Sequence, residues 1–308
     1  MAKLSVLTGR ANIPLAQSVA SALSIDLGHR TLENFPDDEL HIEIHDDLRD
    51  HDVYIIQPTG PPVGDYLLEL LLLADACIRA GASRLTGVIP YLGYARQDRR
   101  ALGREPMGAR LVAELLCTRL HRIITLDLHN AAIEGFFSIP MEHLSAVPLL
   151  ADSVRKLIPE DNMVVVAPDQ GAVKHAQRYA GLLDLPLAYV HKVRLSGAEV
   201  AVQSVVGDVR GKYPIVIDDM VSTGGTIISA IEALIARGCQ PTIAVAASHA
   251  LLVGSAPDRL AALPIKNLFF TDSLPQPASS PLPLRVVSLG RLLADTIKRL
   301  HGDFGYRF

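Results

Sequence analysis

The chain alternates short runs of consecutive apolar residues with longer stretches whose apolar positions recur every three or four residues. A strand buried on both faces needs the first pattern, and a helix lying on a sheet needs the second. The runs predict strands at Ser5–Thr8, Asp52–Gln57, Leu85–Pro90, Arg122–Asp127, Val164–Ala167, Leu187–His191, Tyr213–Ile217, Thr242–Ala247, Asn267–Thr271 and Leu284–Ser288. The periodic segments predict helices at Pro14–Leu23, Gly64–Ala80, Met107–Arg119, Val147–Leu157, Gly171–Leu183 and Thr226–Arg237. This alternation predicts an α/β fold of mainly parallel sheets flanked by helices on both faces. A boundary near Ser145–Pro148 divides the chain into two similar halves, 1–146 and 147–288. Each half carries a strand that runs into a loop with functional residues, Ile89–Arg100 in one and Ile217–Thr226 in the other.

Length and composition narrow the classes. At 308 residues, 49% hydrophobic and 20% charged, the chain can build two domains with their own cores. A net charge of −4 argues against wholesale nucleic-acid binding, so any polyanion site must be local. Cys77, Cys117 and Cys239 lack the spacing of a zinc site or a disulfide framework, and read as buried thiols in a reducing cytoplasm. The N-terminus runs into a strand without an apolar leader. The apolar stretch Tyr66–Ile78 contains Glu69 and Asp75 and is too short for a bilayer, so it reads as an amphipathic or subunit-contact helix.

The richest chemistry lies in Ile217-Asp218-Asp219-Met220-Val221-Ser222-Thr223-Gly224-Gly225-Thr226. An apolar strand ends in two carboxylates, small residues follow, and a helix opens with the stripe Ile227, Ile228, Ile231, Leu234 and Ile235, stopped by Gly238. A glycine-rich turn at a helix N-terminus presents unpaired backbone N–H groups to a phosphate. The neighbouring carboxylates can accept hydrogen bonds from sugar hydroxyls or hold a metal-bound diphosphate. Together they fit a ribose 5-phosphate moiety.

Four further segments sit at strand ends, where ligands gather in open α/β sheets. Tyr91-Leu92-Gly93-Tyr94-Ala95-Arg96-Gln97-Asp98-Arg99-Arg100, with Arg104 beyond, is either a solvated basic surface or a polyphosphate site, for which guanidinium forks are suited. Asp127 and His129 should share one face of a strand end, as structural residues, an acid–base pair or donors to Mg²⁺. Asp169, after Val164–Ala167, is either a helix N-cap or a ligand for a metal or ribose hydroxyl. Lys192 and Arg194 share one face of an extended segment, and the polar stretch Ser196–Lys212 reads as a hairpin or flap. Two cations on such an arm would stabilise charge on a transferring phosphoryl group; otherwise they are an exposed basic strand.

With these residues in view, the chain resembles the ribose-phosphate pyrophosphokinase family. The likeness runs from Leu7-Thr8-Gly9-Arg10 to a terminal helix around Leu289–Leu300, through the Pro90–Arg100 loop, Asp127-Leu128-His129, Glu134-Gly135-Phe136-Phe137 and the Asp218–Thr226 loop. The resemblance implies two phosphoribosyltransferase-like domains, the last segment, 289–308, packing on the first. It implies Mg²⁺-dependent transfer of the β,γ-diphosphoryl group of ATP to the anomeric hydroxyl of ribose 5-phosphate, releasing AMP. On matching positions, Ser222, Thr223, Gly224, Gly225 and Thr226 hold the 5-phosphate, Asp218 and Asp219 the ribose hydroxyls, and Arg194 also meets ribose 5-phosphate. Arg96, Gln97 and Arg99 meet ATP; Phe35, Asp37, Asp38 and Glu39 match a Phe-Ser-Asp-Gly-Glu motif that reaches ATP from a neighbouring subunit. His129 and Asp169 place Mg²⁺, and Lys192 and Arg194 match the catalytic flexible loop. The family implies a cytoplasmic homo-oligomer, a hexamer or a smaller even-numbered assembly, with no nucleic-acid or membrane partner. The alternatives on the same fold are a phosphoribosyltransferase and a non-catalytic regulatory homologue. This chain departs from the family pattern at Ser222, where Asp is usual, and at Pro36 and Asp38, where Ser and Gly are usual. Its arm also reads Lys-Val-Arg-Leu-Ser-Gly in place of Lys-Arg-Arg-Pro.

Overall fold

The apolar runs form the strands of two parallel sheets. The computed structural model describes residues 2–100, 103–157, 162–196, 199–276 and 279–304, with 157, 192–196, 199–203 and 303–304 described by backbone alone. The chain divides into two units, Met1–Leu144 with Ser273–Pro275 and Ser288–Phe308, and Ser145–Asp272 with Gln276–Val287. The first contains β1 (Lys3–Thr8), α1 (Ile13–Leu23), β2 (Arg30–Asn34), β3 (Leu40–Ile44), β4 (His51–Ile56), α2 (Val63–Arg79), β5 (Arg84–Ile89), α3 (Gly108–Cys117), β6 (Arg122–Leu126) and β7 (Met141–Leu144), with a 3-10 turn at Ala131–Phe136. The second contains α4 (Val147–Leu157), β8 (Met163–Ala167), α5 (Val173–Leu183), β9 (Leu187–Ser196), β10 (Glu199–Val206), β11 (Tyr213–Val221), α6 (Gly225–Ala236), β12 (Ile243–Ala250), α7 (Ala256–Ala261), β13 (Ile265–Thr271) and β14 (Leu284–Val287). The last helix, α8 (Gly290–Phe304), returns to the first unit.

The first sheet runs β1-β4-β5-β6-β7, all parallel. Successive residues such as Val53, Tyr54, Ile55 and Ile56 are all fully buried, so both faces are covered, as the unbroken apolar runs require. Beside it, β2 and β3 form a separate antiparallel hairpin. At the opposite end from the loops, fully buried Asp52 takes two bonds from Arg84, at 2.7 and 2.5 Å. Arg84 also donates to the Leu300 carbonyl (3.0 Å), His301 Nδ1 lies 2.9 Å from Asp52, and Lys298 donates to the Ala22 carbonyl (3.0 Å). These bonds hold α8 on α1 and satisfy a carboxylate that would be costly to bury alone.

The second sheet runs β10-β9-β8-β11-β12-β13-β14, parallel except for β10. One face of its core joins Val164, Val166, Val216, Val245 and Phe270 to Ile227, Ile231 and Leu234 of α6. The α6 stripe is narrower than its sequence suggests. Ile235 is exposed and Ala230 takes the buried position instead. Cys77 and Cys239 are buried as expected, whereas Cys117, at the end of α3, is only half-buried. Among the described residues no helix is long and apolar enough to cross a membrane.

Candidate functional site

In the second unit the chain starts mid-sheet at β8, builds outward through β9 and β10, and restarts on the other side of β8 with β11. The loops leaving β8 and β11 therefore diverge, and strand order reverses where a crevice must open at their carboxyl ends. Asp169 leaves β8 at this point, and Asp218 and Asp219 lie on β11. β11 does not stop at Ile217 as its apolar run suggests. It continues to Val221 because β12 keeps pairing with it, Met220 opposite His249 and Val221 opposite Ala250, while its pairing with β8 ends at Val216. The two carboxylates thus sit within a strand that has lost its β8 neighbour.

The Asp219 N–H donates to Asp218 Oδ1 at 2.9 Å. Loss of hydration first, then repulsion from Asp219 and Asp169, pushes the Asp218 carboxyl well above the usual carboxylate range. A crowded site of this kind favours a ligand that brings hydroxyl donors or a cation.

Directly after β11 the chain turns into α6 through Gly224, which has φ +77° and cannot take a side chain freely. A Cβ there would stand 3.3 Å from the Leu260 side chain of α7. No side chain caps α6 and no acid occupies its first turn. Its leading N–H groups and the positive end of its dipole are therefore offered to an anion. The turn is held from behind: the N–H groups of Leu251 and Leu252 donate to the Val221 carbonyl (3.0 Å each), and that of Val253 to the Ser222 carbonyl (3.1 Å). Thr223 is exposed, and Ser222, Gly225 and Thr226 are half-buried around the opening.

Asp169 behaves as a turn cap, its Oδ1 accepting the Ala172 N–H at 3.1 Å. This turn delays α5 to Val173, two residues later than Gly171. Gln170 Nε2 lies 2.7 Å from His191 Nδ1 and ties the same turn to β9. The expected hairpin is present as β9 and β10. Lys192 and Arg194 lie inside its first strand, opposite Val202 and Val200, rather than ahead of a flap. Their side chains fall outside the described residues.

The first unit places the arginine loop at the end of β5. Tyr91, Leu92 and Ala95 are buried and anchor it, while Gly93 N–H donates to Thr59 Oγ1 at 2.7 Å. Arg96, Gln97 and Arg99 are exposed, and among the described residues no carboxylate pairs with either arginine. Asn130 Nδ2 donates to Asp98 Oδ2 at 2.7 Å, joining this loop to the end of β6. There Asp127 and His129 do not share the strand face that alternation predicts. β6 stops at Leu126, and Asp127 turns to φ +36°, buried, with its N–H on the Leu144 carbonyl (3.0 Å). His129 emerges exposed, and the Leu128 N–H is held by His143 Nε2 at 3.0 Å. His143 lies on the edge strand β7, which the polar sequence Met141-Glu142-His143-Leu144 concealed.

Phe35, Asp37, Asp38 and Glu39 occupy the exposed turn of the β2–β3 hairpin. The hairpin was legible only in the alternation of Leu40, Ile42 and Ile44, of which Ile42 and Ile44 pack against the core that includes Leu67, Leu70 and Leu73 of α2.

A parallel sheet reversing beside a glycine-rich, uncapped helix N-terminus defines a phosphoribosyltransferase-type unit, and here it is paired with a second α/β unit. Residues 4–119 match the family model of the N-terminal domain of ribose phosphate pyrophosphokinase, and residues 143–264 match that of the phosphoribosyl transferase domain. The chain is 42% identical over 308 residues to a ribose-phosphate pyrophosphokinase of Rhodopirellula baltica, covering 98% of this chain and 97% of that one. It is 42% identical over 300 residues to one of Agrobacterium fabrum, covering 96% of each. The crystal structure of phosphoribosylpyrophosphate synthetase from Mycobacterium smegmatis superposes with a TM-score of 0.92 at 37% identity, over 98% of this chain and 99% of that one. The chain belongs to the ribose-phosphate pyrophosphokinase family, enzymes that transfer a diphosphate group.

Proposed function

We propose that this enzyme transfers the diphosphoryl group of ATP to the anomeric hydroxyl of ribose 5-phosphate, using Mg²⁺ and releasing AMP. The observation that carries this reading is the pairing of an uncapped, glycine-turned α6 N-terminus with the crowded carboxylates of β11. The backbone N–H groups at Thr223, Gly224, Gly225 and Thr226, with the Ser222 hydroxyl, take the 5-phosphate. Asp218 and Asp219 accept hydrogen bonds from the ribose hydroxyls and fix the sugar. In the first unit, Arg96, Gln97 and Arg99 take ATP, with Phe35, Asp37, Asp38 and Glu39 contributed to a neighbouring subunit's nucleotide.

The reaction makes one oxygen–phosphorus bond, from the anomeric hydroxyl to the β-phosphorus, and breaks the bridge to the α-phosphate. It needs positioning and charge neutralisation more than covalent catalysis. Lys192 and Arg194 supply positive charge to the moving group. His129 and Asp169 are the proposed holders of Mg²⁺, which neutralises phosphate oxygens when bound. The donor chemistry fits: Asp169 offers hard oxygens beside charge-crowded Asp218. The enzyme works in the cytoplasm as an even-numbered homo-oligomer, a hexamer or smaller. Exposed Leu68 and Leu72 on α2, and Leu111 and Leu115 on α3, support assembly; an ion pair of 3.2 Å ties Asp75 of α2 to Arg119, two residues beyond the end of α3.

The test is product identity. Purified protein with Mg-ATP and ribose 5-phosphate should release AMP and phosphoribosyl pyrophosphate one for one. Release of ADP in place of AMP would refute the reading.

A further inference from the structure

The β2–β3 hairpin is tied to the body of the first unit by a chain of bonds that begins at a buried carboxylate. Glu69, in the second turn of α2, has a side chain only 1% exposed. Burying a carboxylate is costly unless donors meet its oxygens. Three do so here. Glu69 Oε1 accepts the Arg10 N–H (2.5 Å) and Gln57 Nε2 (3.0 Å), and Oε2 accepts Arg10 Nε (2.7 Å). The packing is tight enough that a Cβ on Gly9 would collide with Gln57 Oε1 and Glu69 Oε1. The outer nitrogen of Arg10, Nη1, donates to Asn34 Oδ1 at 2.7 Å, and Asn34 Nδ2 in turn donates to the Asp38 carbonyl at 3.0 Å. From β2, Arg30 donates to the carbonyls of Thr8 and Gly9 on the same loop.

Asp38 gives this chain its purpose. It stands at φ +67°, a region that side chains with a Cβ occupy at a cost and glycine occupies freely. Its turn is closed by Phe35 N–H to the Glu39 carbonyl (2.8 Å), Asp38 N–H to the Phe35 carbonyl (2.9 Å) and Glu39 N–H to Asp37 Oδ1 (3.3 Å). All of these bonds lie within the turn. Residues 35–39 are all exposed; the Phe35 ring leans on His41 of β3, with ring centres 5.1 Å apart, and that contact too lies within the hairpin. The Asn34 side chain supplies the connection from the Asp38 carbonyl, through Arg10, to the buried Glu69.

We infer that Asn34, clamped by Arg10 onto Glu69, is a positioning residue for the nucleotide-binding turn and holds Asp38 in its left-handed conformation where glycine would need no support. The inference rests on the proposed assignment of residues 35–39 to ATP. Two readouts separate the two ideas. In the full-length enzyme, Asn34→Ala removes the exposed end of the chain and leaves the buried Glu69–Arg10 pair intact. It should raise KM for ATP about fivefold, the scale of the one exposed hydrogen bond that reaches the Asp38 carbonyl, with kcat and KM for ribose 5-phosphate within about twofold. Asn34→Ala combined with Asp38→Gly should bring KM for ATP back toward that of Asp38→Gly alone.

The second readout does not depend on catalysis. The chain contains no tryptophan, so Phe35→Trp places a single reporter on the turn. Adding Asn34→Ala should lower the fluorescence anisotropy of that tryptophan while the melting temperature stays in place. Unchanged anisotropy would overturn the clamp, and so would a loss of ATP affinity that Asp38→Gly does not repair. A fall in anisotropy with no change in either KM would support the clamp and refute the assignment of the turn to ATP.

Discussion

The two units share one building plan and use it differently. Both are parallel sheets with functional residues at the carboxyl ends of strands. In the first, strand order runs without reversal from β1 to β7, and the exposed chemistry is cationic: Arg96 and Arg99 on a loop anchored by buried Tyr91, Leu92 and Ala95. In the second, order reverses between β8 and β11, and the crevice combines crowded carboxylates with an uncapped helix N-terminus. A guanidinium-rich loop suits a flexible polyphosphate chain, which it can grip at several oxygens. A helix N-terminus beside carboxylates suits a compact ligand with one phosphate and several hydroxyls. The difference supports the proposal that the first unit takes the diphosphoryl donor and the second the sugar acceptor.

The largest effect should come from the hairpin of the second unit. Lys192→Ala is expected to lower kcat about 100-fold, close to 2.7 kcal/mol of barrier, with smaller changes in either KM. A loss below about tenfold in single-turnover measurements would remove Lys192 from the transition state.

A smaller effect sharpens the contrast through stability. Burial and like charge raise the pKa of Asp218 in the folded protein, so its ionised form opposes folding. The contribution favours the folded state below the unfolded value, about 4, and is lost as pH rises through the folded value. Asp218→Asn should therefore raise the melting temperature of the ligand-free enzyme at pH 7 by roughly 2 °C. The gain should shrink as pH falls toward 4, and the variant should lose the further stabilisation that ribose 5-phosphate gives the parent. A melting temperature that falls on substitution would mean that Asp218 is stabilised where it sits.

The strands predicted from apolar runs are all present, because a strand buried on both faces leaves an unbroken run that few other structures explain. The missed strands are polar or partly exposed. β7 is an edge strand carrying Glu142 and His143, and β2 and β3 form a hairpin outside the main sheet. Placement at strand ends was legible for every candidate loop. Local backbone geometry was not. The extension of β11 to Val221 depends on a partner strand distant in sequence, and the φ of +36° at Asp127 breaks an alternation the sequence alone would continue. The Glu69–Arg10–Asn34 chain was invisible for the same reason, since its members meet only after α2 and the hairpin have folded.

The division of labour is tested most directly by calorimetric titration of each substrate into two variants, one from each unit. Arg99→Ala should weaken ATP about tenfold, the loss of a charged hydrogen-bonding group, and leave ribose 5-phosphate binding unchanged. Gly224→Ala, which places a Cβ at φ +77° in the phosphate turn, should do the reverse. If either substitution weakens both ligands equally, or if the pattern is exchanged, the assignment of donor and acceptor to separate units is wrong.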